Sequence, residues 1–243
     1  MIGKILTDIR RFSLDMIAPR TCPCCGARLS ETEDEICLRC LVSLPRTGYA
    51  GLRTPLRDFV DNGSGEPGFC AAWFFYDHTT DFADIIRSAK FDDRPAFARA
   101  LGRLYARELL SAARVSGVPG HLSDVEILLP VPMHWSKLLG RGYNQSREIA
   151  LGISEVTGIP VADNLIARKP HRTQSLQNAS RRRDNLVGKL EAIRPGELDG
   201  AHIAIVDDVV TTGATVRECV RALSVSGARP ASVGLIALAR SAN

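Results

Sequence analysis

Five apolar runs punctuate the chain, and the stretches between them have helical spacing. Cys70–Tyr76, Val125–Pro130, Val161–Ala167, Ile203–Val206 and Ala231–Leu238 read as strands. Four consecutive apolar residues from Ile203 to Val206 suit a strand buried on both faces, as in a parallel sheet. Helical stripes are Ile2, Ile5, Leu6, Ile9 and Phe12; then Phe82, Ile85, Ile86 and Ala89; then a second run after Pro95 to about Val115; then Arg141–Ile153; and, from about Thr215, Val216, Val220 and Leu223. Buried strands alternating with amphipathic helices predict an α/β fold, a parallel sheet flanked by helices. Ligands of such sheets bind at the carboxyl ends of the strands.

Punctuation divides the chain further. Leu44 to Gly68 is rich in Pro, Gly and Asp and reads as a connection with a mobile middle. The organisation expected is an N-terminal module over 1–45, a linker over 46–68 and a main domain over 69–243. Hydrophobic content of 45% and charged content of 24% are ordinary for a soluble globular protein. No segment approaches the roughly 20 apolar residues of a membrane span. The first 19 residues lack the apolar core of a signal peptide. Seven cysteines without an export signal point to thiols in a reducing cytoplasm.

Charge alters this picture in one place. The chain carries a net +4, yet Arg168, Lys169, Arg172, Arg181, Arg182, Arg183 and Lys189 face only Asp184 over 168–189, a local +6 that leaves about −2 elsewhere. A positive field so confined suits an anionic ligand. A solvated surface helix from Ser180 is the plain alternative, and a nucleic-acid patch would want interleaved aromatics that the stretch lacks.

Two clusters carry chemistry. Cys22-Pro-Cys24-Cys25-Gly26 is followed by Cys37-Leu-Arg-Cys40, two C-x-x-C turns with the spacing of a closed structural zinc site. Cys22, Cys25, Cys37 and Cys40 are the expected ligands, with Cys24 a bystander that competes with Cys22 for that role. The second cluster is Ile203 to Thr215. An apolar strand leads into Asp207 and Asp208, then Val209, Val210, Thr211, Thr212, Gly213, Ala214 and Thr215 open a helix. Free N–H groups, hydroxyls and the helix dipole favour a phosphate there, and the carboxylates suit ribose hydroxyls or a hard divalent cation such as magnesium. An ordinary strand ending in a solvated turn is the bland alternative. At the other loops, Lys90, His134, Lys137 and Arg141 sit where a sheet's carboxyl edge would lie, with Arg168 and Arg172 in the basic segment.

Residues 203–215 resemble the motif by which type I phosphoribosyltransferases bind 5-phosphoribosyl 1-diphosphate (PRPP). Pro130-Val-Pro-Met-His-Trp-Ser-Lys-Leu-Leu-Gly-Arg-Gly-Tyr-Asn-Gln145 and Arg168…Thr173-Gln174…Leu176…Arg182…Asn185-Leu186 resemble two further blocks of the ComF family, the competence-associated phosphoribosyltransferase-like proteins. The four-cysteine module and Lys90-Phe91 match in place and order. Tyr143 stands where phenylalanine is commoner, and Lys137 and Leu138 where the family often has arginine. The resemblance implies a type I phosphoribosyltransferase domain with a hood over the sheet's carboxyl edge. Asp207 and Asp208 would hold the ribose, directly or through magnesium, and 211–215 the 5′-phosphate. Arg141 would stabilise the diphosphate, with Lys90, His134, Lys137, Arg168 and Arg172 as hood or diphosphate contacts. It also implies a part in natural transformation, where single-stranded DNA enters the cytosol with a partner helicase. Two classes stay open: an enzyme transferring phosphoribosyl to an unnamed acceptor, and a PRPP-, nucleotide- or single-stranded-DNA-binding accessory that does no chemistry.

Overall fold

The structure is a computed structural model that describes residues 20–33, 35–61, 66–91, 94–116, 122–167 and 188–241. The stripe proposed within residues 1–19 and the basic segment 168–187 lie outside them.

The main sheet has five strands: β1 (Arg46–Gly51), β2 (Glu66–Tyr76), β3 (Ile127–Pro130), β6 (His202–Val210) and β7 (Ser232–Ser241), in the order β1-β2-β7-β6-β3. β2, β7, β6 and β3 run parallel, and β1 closes one edge antiparallel to β2. The burial expected of the central strands has a simple cause. Alternate side chains of β6 enter different cores: Ala204 and Val206 on one face, Ile203 and Ile205 on the other. All four are at most 1% exposed, so neither face tolerates a polar residue until Asp207.

One face is covered by α2 (Ala83–Phe91), α3 (Pro95–Ser116) and α5 (Gln145–Thr157). Packed into the same core are Cys22, Leu29, Ile36 and Leu44 of the cysteine module, which also contains α1 (Leu38–Ser43). The other face is covered by α6 (Ala214–Val225), whose buried Val216, Cys219, Val220 and Leu223 follow the i, i+3, i+4, i+7 pattern of an amphipathic helix. Beneath α6 lie Leu56 and Val60, at the one-turn helix Pro55–Phe59, and a small antiparallel pair, β4 (Leu165–Ala167) with β5 (Leu190–Ala192).

Three elements differ from the sequence reading. The stretch read as a connection contains β1, whose pairing with β2 the Gly and Pro content concealed; an edge strand tolerates both. The helix expected over Arg141–Ile153 starts four residues later, as α5, and a separate helix, α4 (Trp135–Arg141), occupies the stretch before it that was read as a loop. Gly142, at φ +77°, ends α4 by donating its N–H to the Leu138 carbonyl at 2.7 Å, and the Asn144 side chain caps α5 by accepting from the Ser146 N–H at 3.1 Å. The strand over Val161–Ala167 makes one parallel bridge, Val161 to Leu128, before leaving the main sheet. There the buried Asn164 donates to the carbonyls of Ile193 and Arg194, each at 3.2 Å, which diverts the chain into β4.

Candidate functional site

β6 runs past its acids rather than stopping before them. Asp207 and Asp208 are strand residues, and Gly213, at φ +72°, turns the chain into α6. Opposite them, α2 contributes Lys90, α4 contributes Lys137 and Arg141, and the start of α5 contributes Gln145 and Ser146. Together these line a cavity of about 220 Å3 at the sheet's carboxyl edge, which Thr215 and Lys189 also reach. A larger cleft, about 590 Å3, lies at the amino edge beside Glu126, His202, Ile203 and Ser232, at the opposite end of β6 from Asp207 and Asp208.

The cavity's electrostatics follow from burial and sign. Asp207, 8% exposed, accepts from the Ser146 hydroxyl at 3.2 Å and from the Asp208 N–H at 2.9 Å. Its carboxyl is pushed up to about 7, first by burial and then by the adjacent Asp208 charge. Asp208 is instead matched by Lys90, whose ammonium lies 3.0 Å from Oδ2. Burial works to lower the Lys90 pKa, but attraction and hydrogen bonding to Asp208, with attraction to Asp207 added, together make the net shift upward. Lys137 is shifted downward by burial, with repulsion from Arg141 and Lys90 adding to it. Lys90, Lys137, Arg141 and Lys189 therefore share one cavity with two carboxyls, one of which burial and its neighbour hold well above the usual carboxylate range. Such a cavity favours an anion that also carries hydroxyl groups for the acids.

Other side chains fix the frame. Arg141 donates to the Gln145 side-chain carbonyl at 3.1 Å. His134 caps α4 through Nδ1, 3.2 Å from the Ser136 N–H, and is only 4% exposed. The Tyr143 hydroxyl donates to the Ala89 carbonyl at 2.7 Å, tying the end of α2, and so Lys90, to the α4–α5 turn. Arg168 and Arg172 lie outside the described residues. Gly213 serves a purpose the sequence reading did not give it: a Cβ there would fall 2.4 Å from the Phe59 ring. Positive φ and the ring together require glycine. Lys189, from the basic segment, reaches the cavity, whereas Ser146, Phe59, Arg217 and Arg240 were missed. The Asn-Gln-Ser capping signal marks Ser146, but nothing local marks the arginines or a phenylalanine 154 residues upstream of Gly213.

The N-terminal cysteines fit a metal. The Sγ atoms of Cys22, Cys25, Cys37 and Cys40 all lie within 4.8 Å of one another, and Cys25 and Cys37 are 3.7 Å apart. Tetrahedral zinc with Zn–S bonds of about 2.3 Å places its sulfurs about 3.8 Å apart. Cys24 is outside this group; its buried thiol is pushed up to about 12, chiefly by desolvation. Among the described residues no helix is long and apolar enough to cross a membrane.

Comparison with known proteins gives the same frame. Residues 133–243 match the phosphoribosyl transferase domain family. The chain is 34% identical to DNA utilization protein YhgH of Salmonella typhi over 158 residues, 65% of this chain and 67% of that protein. It is 27% identical to competence protein F of Haemophilus influenzae over 215 residues, 85% of this chain and 91% of that one. An amidophosphoribosyltransferase of Synechococcus elongatus is 35% identical over 107 residues, 44% of this chain but 19% of its own length.

Proposed function

This chain belongs to the ComF family, and we propose that its carboxyl-edge cavity binds PRPP for magnesium-dependent phosphoribosyl transfer. The observation that carries the reading is the pairing of an acidic doublet with four cations in one cavity. Asp207 and Asp208 accept hydrogen bonds from the ribose hydroxyls, and turn 211–215 receives the 5′-phosphate at the start of α6. Lys90, Lys137 and Arg141 face the diphosphate. As the bond at the anomeric carbon breaks, negative charge grows on the leaving diphosphate, and these cations stabilise it from a half-buried position where each counts for more than in water. Magnesium, which Asp207 and Asp208 suit as hard oxygen donors, would add charge on the same diphosphate. In the described cavity the one histidine, His134, spends Nδ1 on its helix cap, so the acceptor's proton is not assigned to it.

Calorimetric titration with PRPP and magnesium tests this. Binding by the zinc-loaded protein, lost in the Asp207→Ala/Asp208→Ala variant, is the expected result. An unaltered titration in the variant, or none in either protein, sinks it.

A second reading, an accessory for DNA import in the cytoplasm that handles single strands beside a helicase, has one observation in its favour. Trp135, 64% exposed, and Leu139, 78% exposed, stand one turn apart on α4 and leave an apolar surface on which a base could stack. The names of the relatives point the same way for those proteins. Single-stranded DNA binding whose affinity falls with salt by a slope of about −0.7 per phosphate supports it, and loss of stacking in Trp135→Ala separates it from general attraction.

A further inference from the structure

Behind the turn that opens α6 lies a second group of charges, facing away from the cavity. Arg240 of β7 donates to the carbonyls of Val210, at 3.3 Å, and Thr211. Arg217 of α6 donates to the carbonyls of Thr212 and, at 3.2 Å, Asp58. Both guanidiniums lie over the Phe59 ring, each Cζ 5.2 Å from its centroid, and that ring occupies the space a Gly213 side chain would need. Phe59 itself ends the one-turn helix Pro55–Phe59, which packs against α6 and β7. Three parts of the chain far apart in sequence thus meet on one side of four residues.

The consequence follows from peptide geometry. In a planar trans peptide the N–H points opposite to the C=O of the same unit. Carbonyls of residues 210, 211 and 212 drawn toward the arginines turn the N–H groups of Thr211, Thr212 and Gly213 the other way. Among the described residues the N–H groups of Thr212 and Gly213 have no backbone acceptor. Successive N–H groups aimed at one point form an anion-binding concavity, here continuous with the N-terminus of α6.

We propose that Phe59, Arg217 and Arg240 are positioning residues that hold the 211–213 turn as a preformed cradle for a phosphomonoester. This rests on the reading of that turn as the 5′-phosphate site. The three do not touch the ligand; they fix the carbonyls so that the N–H groups need no rearrangement on binding. Arg240 reaches both carbonyls through Nη1 alone while its guanidinium plane rests on the Phe59 ring, and lysine, a point donor without a plane, does not combine the two. The Phe59 ring sets both guanidiniums by cation–π contact and excludes water from behind the turn.

The test compares ribose 5-phosphate with pyrophosphate, each with magnesium, by calorimetry on the full-length zinc-loaded chain. Phe59→Ala and Arg240→Lys are each expected to weaken ribose 5-phosphate binding about tenfold. Pyrophosphate binding stays within about twofold, and Phe59→Tyr behaves as wild type. Thermal melts accompany each variant, and Arg240→Lys carries the test should Phe59→Ala fail to fold. Unchanged ribose 5-phosphate binding in folded Arg240→Lys overturns the inference while leaving the pocket intact. Parallel losses for both probes overturn it as well, because a damaged fold would do the same. Wild-type protein that binds neither probe removes the phosphate-site reading and the inference together.

Discussion

The Lys90 ammonium sits 3.0 Å from Asp208 Oδ2, so in the unliganded protein the second acid of the motif already has a cation. That contact makes the two halves of the site interdependent. A metal ion or ribose approaching Asp208 competes with Lys90, and a diphosphate arriving beside Lys137 and Arg141 gives Lys90 another partner. Lys90→Ala should therefore shift two affinities in opposite directions. Magnesium alone binds more tightly, because Asp208 is freed, and pyrophosphate binds about tenfold more weakly, because a half-buried charge-assisted contact is gone. Calorimetry with each ion separately decides it; weaker binding of both would mean that the lysine merely supports the fold.

Asp207 should make stability depend on pH in a direction unusual for aspartate. Its carboxyl holds a proton up to about pH 7 in the folded state, owing to burial and then to Asp208. In the unfolded chain it loses that proton near pH 4. Between those values the folded state binds more protons than the unfolded one, so stability falls as pH rises and levels off above 7. Asp207→Asn keeps an acceptor for Ser146 and the Asp208 N–H but removes the titration. Relative to wild type the variant should gain roughly 3 kcal/mol between pH 4 and pH 8. Denaturation curves at both pH values check this, and a gain independent of pH would contradict it.

The cysteine module offers a cleaner partition. Cys22, Cys25, Cys37 and Cys40 converge within 4.8 Å, and Cys24 stays outside although it lies between two of them in sequence. One zinc per chain is expected by elemental analysis. Serine at any of the four should abolish it, and Cys24→Ser should retain it. Because Cys22, Ile36 and Leu44 share a core with Trp73, chelation should also lower the melting temperature of the whole chain rather than release an independent finger. A melting temperature indifferent to chelator would show that this packing is dispensable.

Tyr143 gives a smaller effect with a definite origin. Its hydroxyl is the donor to the Ala89 carbonyl at the end of α2, a buried bond at 2.7 Å. Tyr143→Phe preserves the ring and strands that carbonyl, which should cost about 1–2 kcal/mol in chemical denaturation. Since Ala89 precedes Lys90, pyrophosphate binding should weaken along with it.

The sheet and the turn that follows its two acids were legible because their signals are local. Ile203–Val206 can only be a strand buried on both faces, and the acids and glycine that follow are contiguous with it. The turn's backing was not legible. Phe59, Arg217 and Arg240 come from three segments, and each taken alone is an unremarkable surface or half-buried residue. α4 was missed because His134, Lys137 and Arg141 were read as loop charges and Gly142 was not read as a left-handed helix stop. β1 was missed because the Gly and Pro that suit an edge strand are also the marks of a linker.

Helical glycines show the same limit and supply the sharpest stability test. By propensity, Gly102, Gly140 and Gly152 each weaken their helices by up to about 1 kcal/mol relative to alanine. The structure separates them. A Cβ on Gly152 would fall 1.9 Å from the Arg99 carbonyl oxygen, and one on Gly102 would fall 2.2 Å from that of Ile149. Both obstacles are backbone, so α3 and α5 would have to move apart, and Ser146 would move with α5 away from Asp207. A Cβ on Gly140 of α4 meets nothing within 4 Å. Gly140→Ala should therefore stabilise by about 0.5–1 kcal/mol, whereas Gly152→Ala should destabilise by about 2–3 kcal/mol through overpacking. Urea denaturation of the two variants side by side decides whether close backbone approach outweighs helix propensity. Equal effects of the same sign would mean that the α3–α5 crossing yields more readily than its contacts indicate.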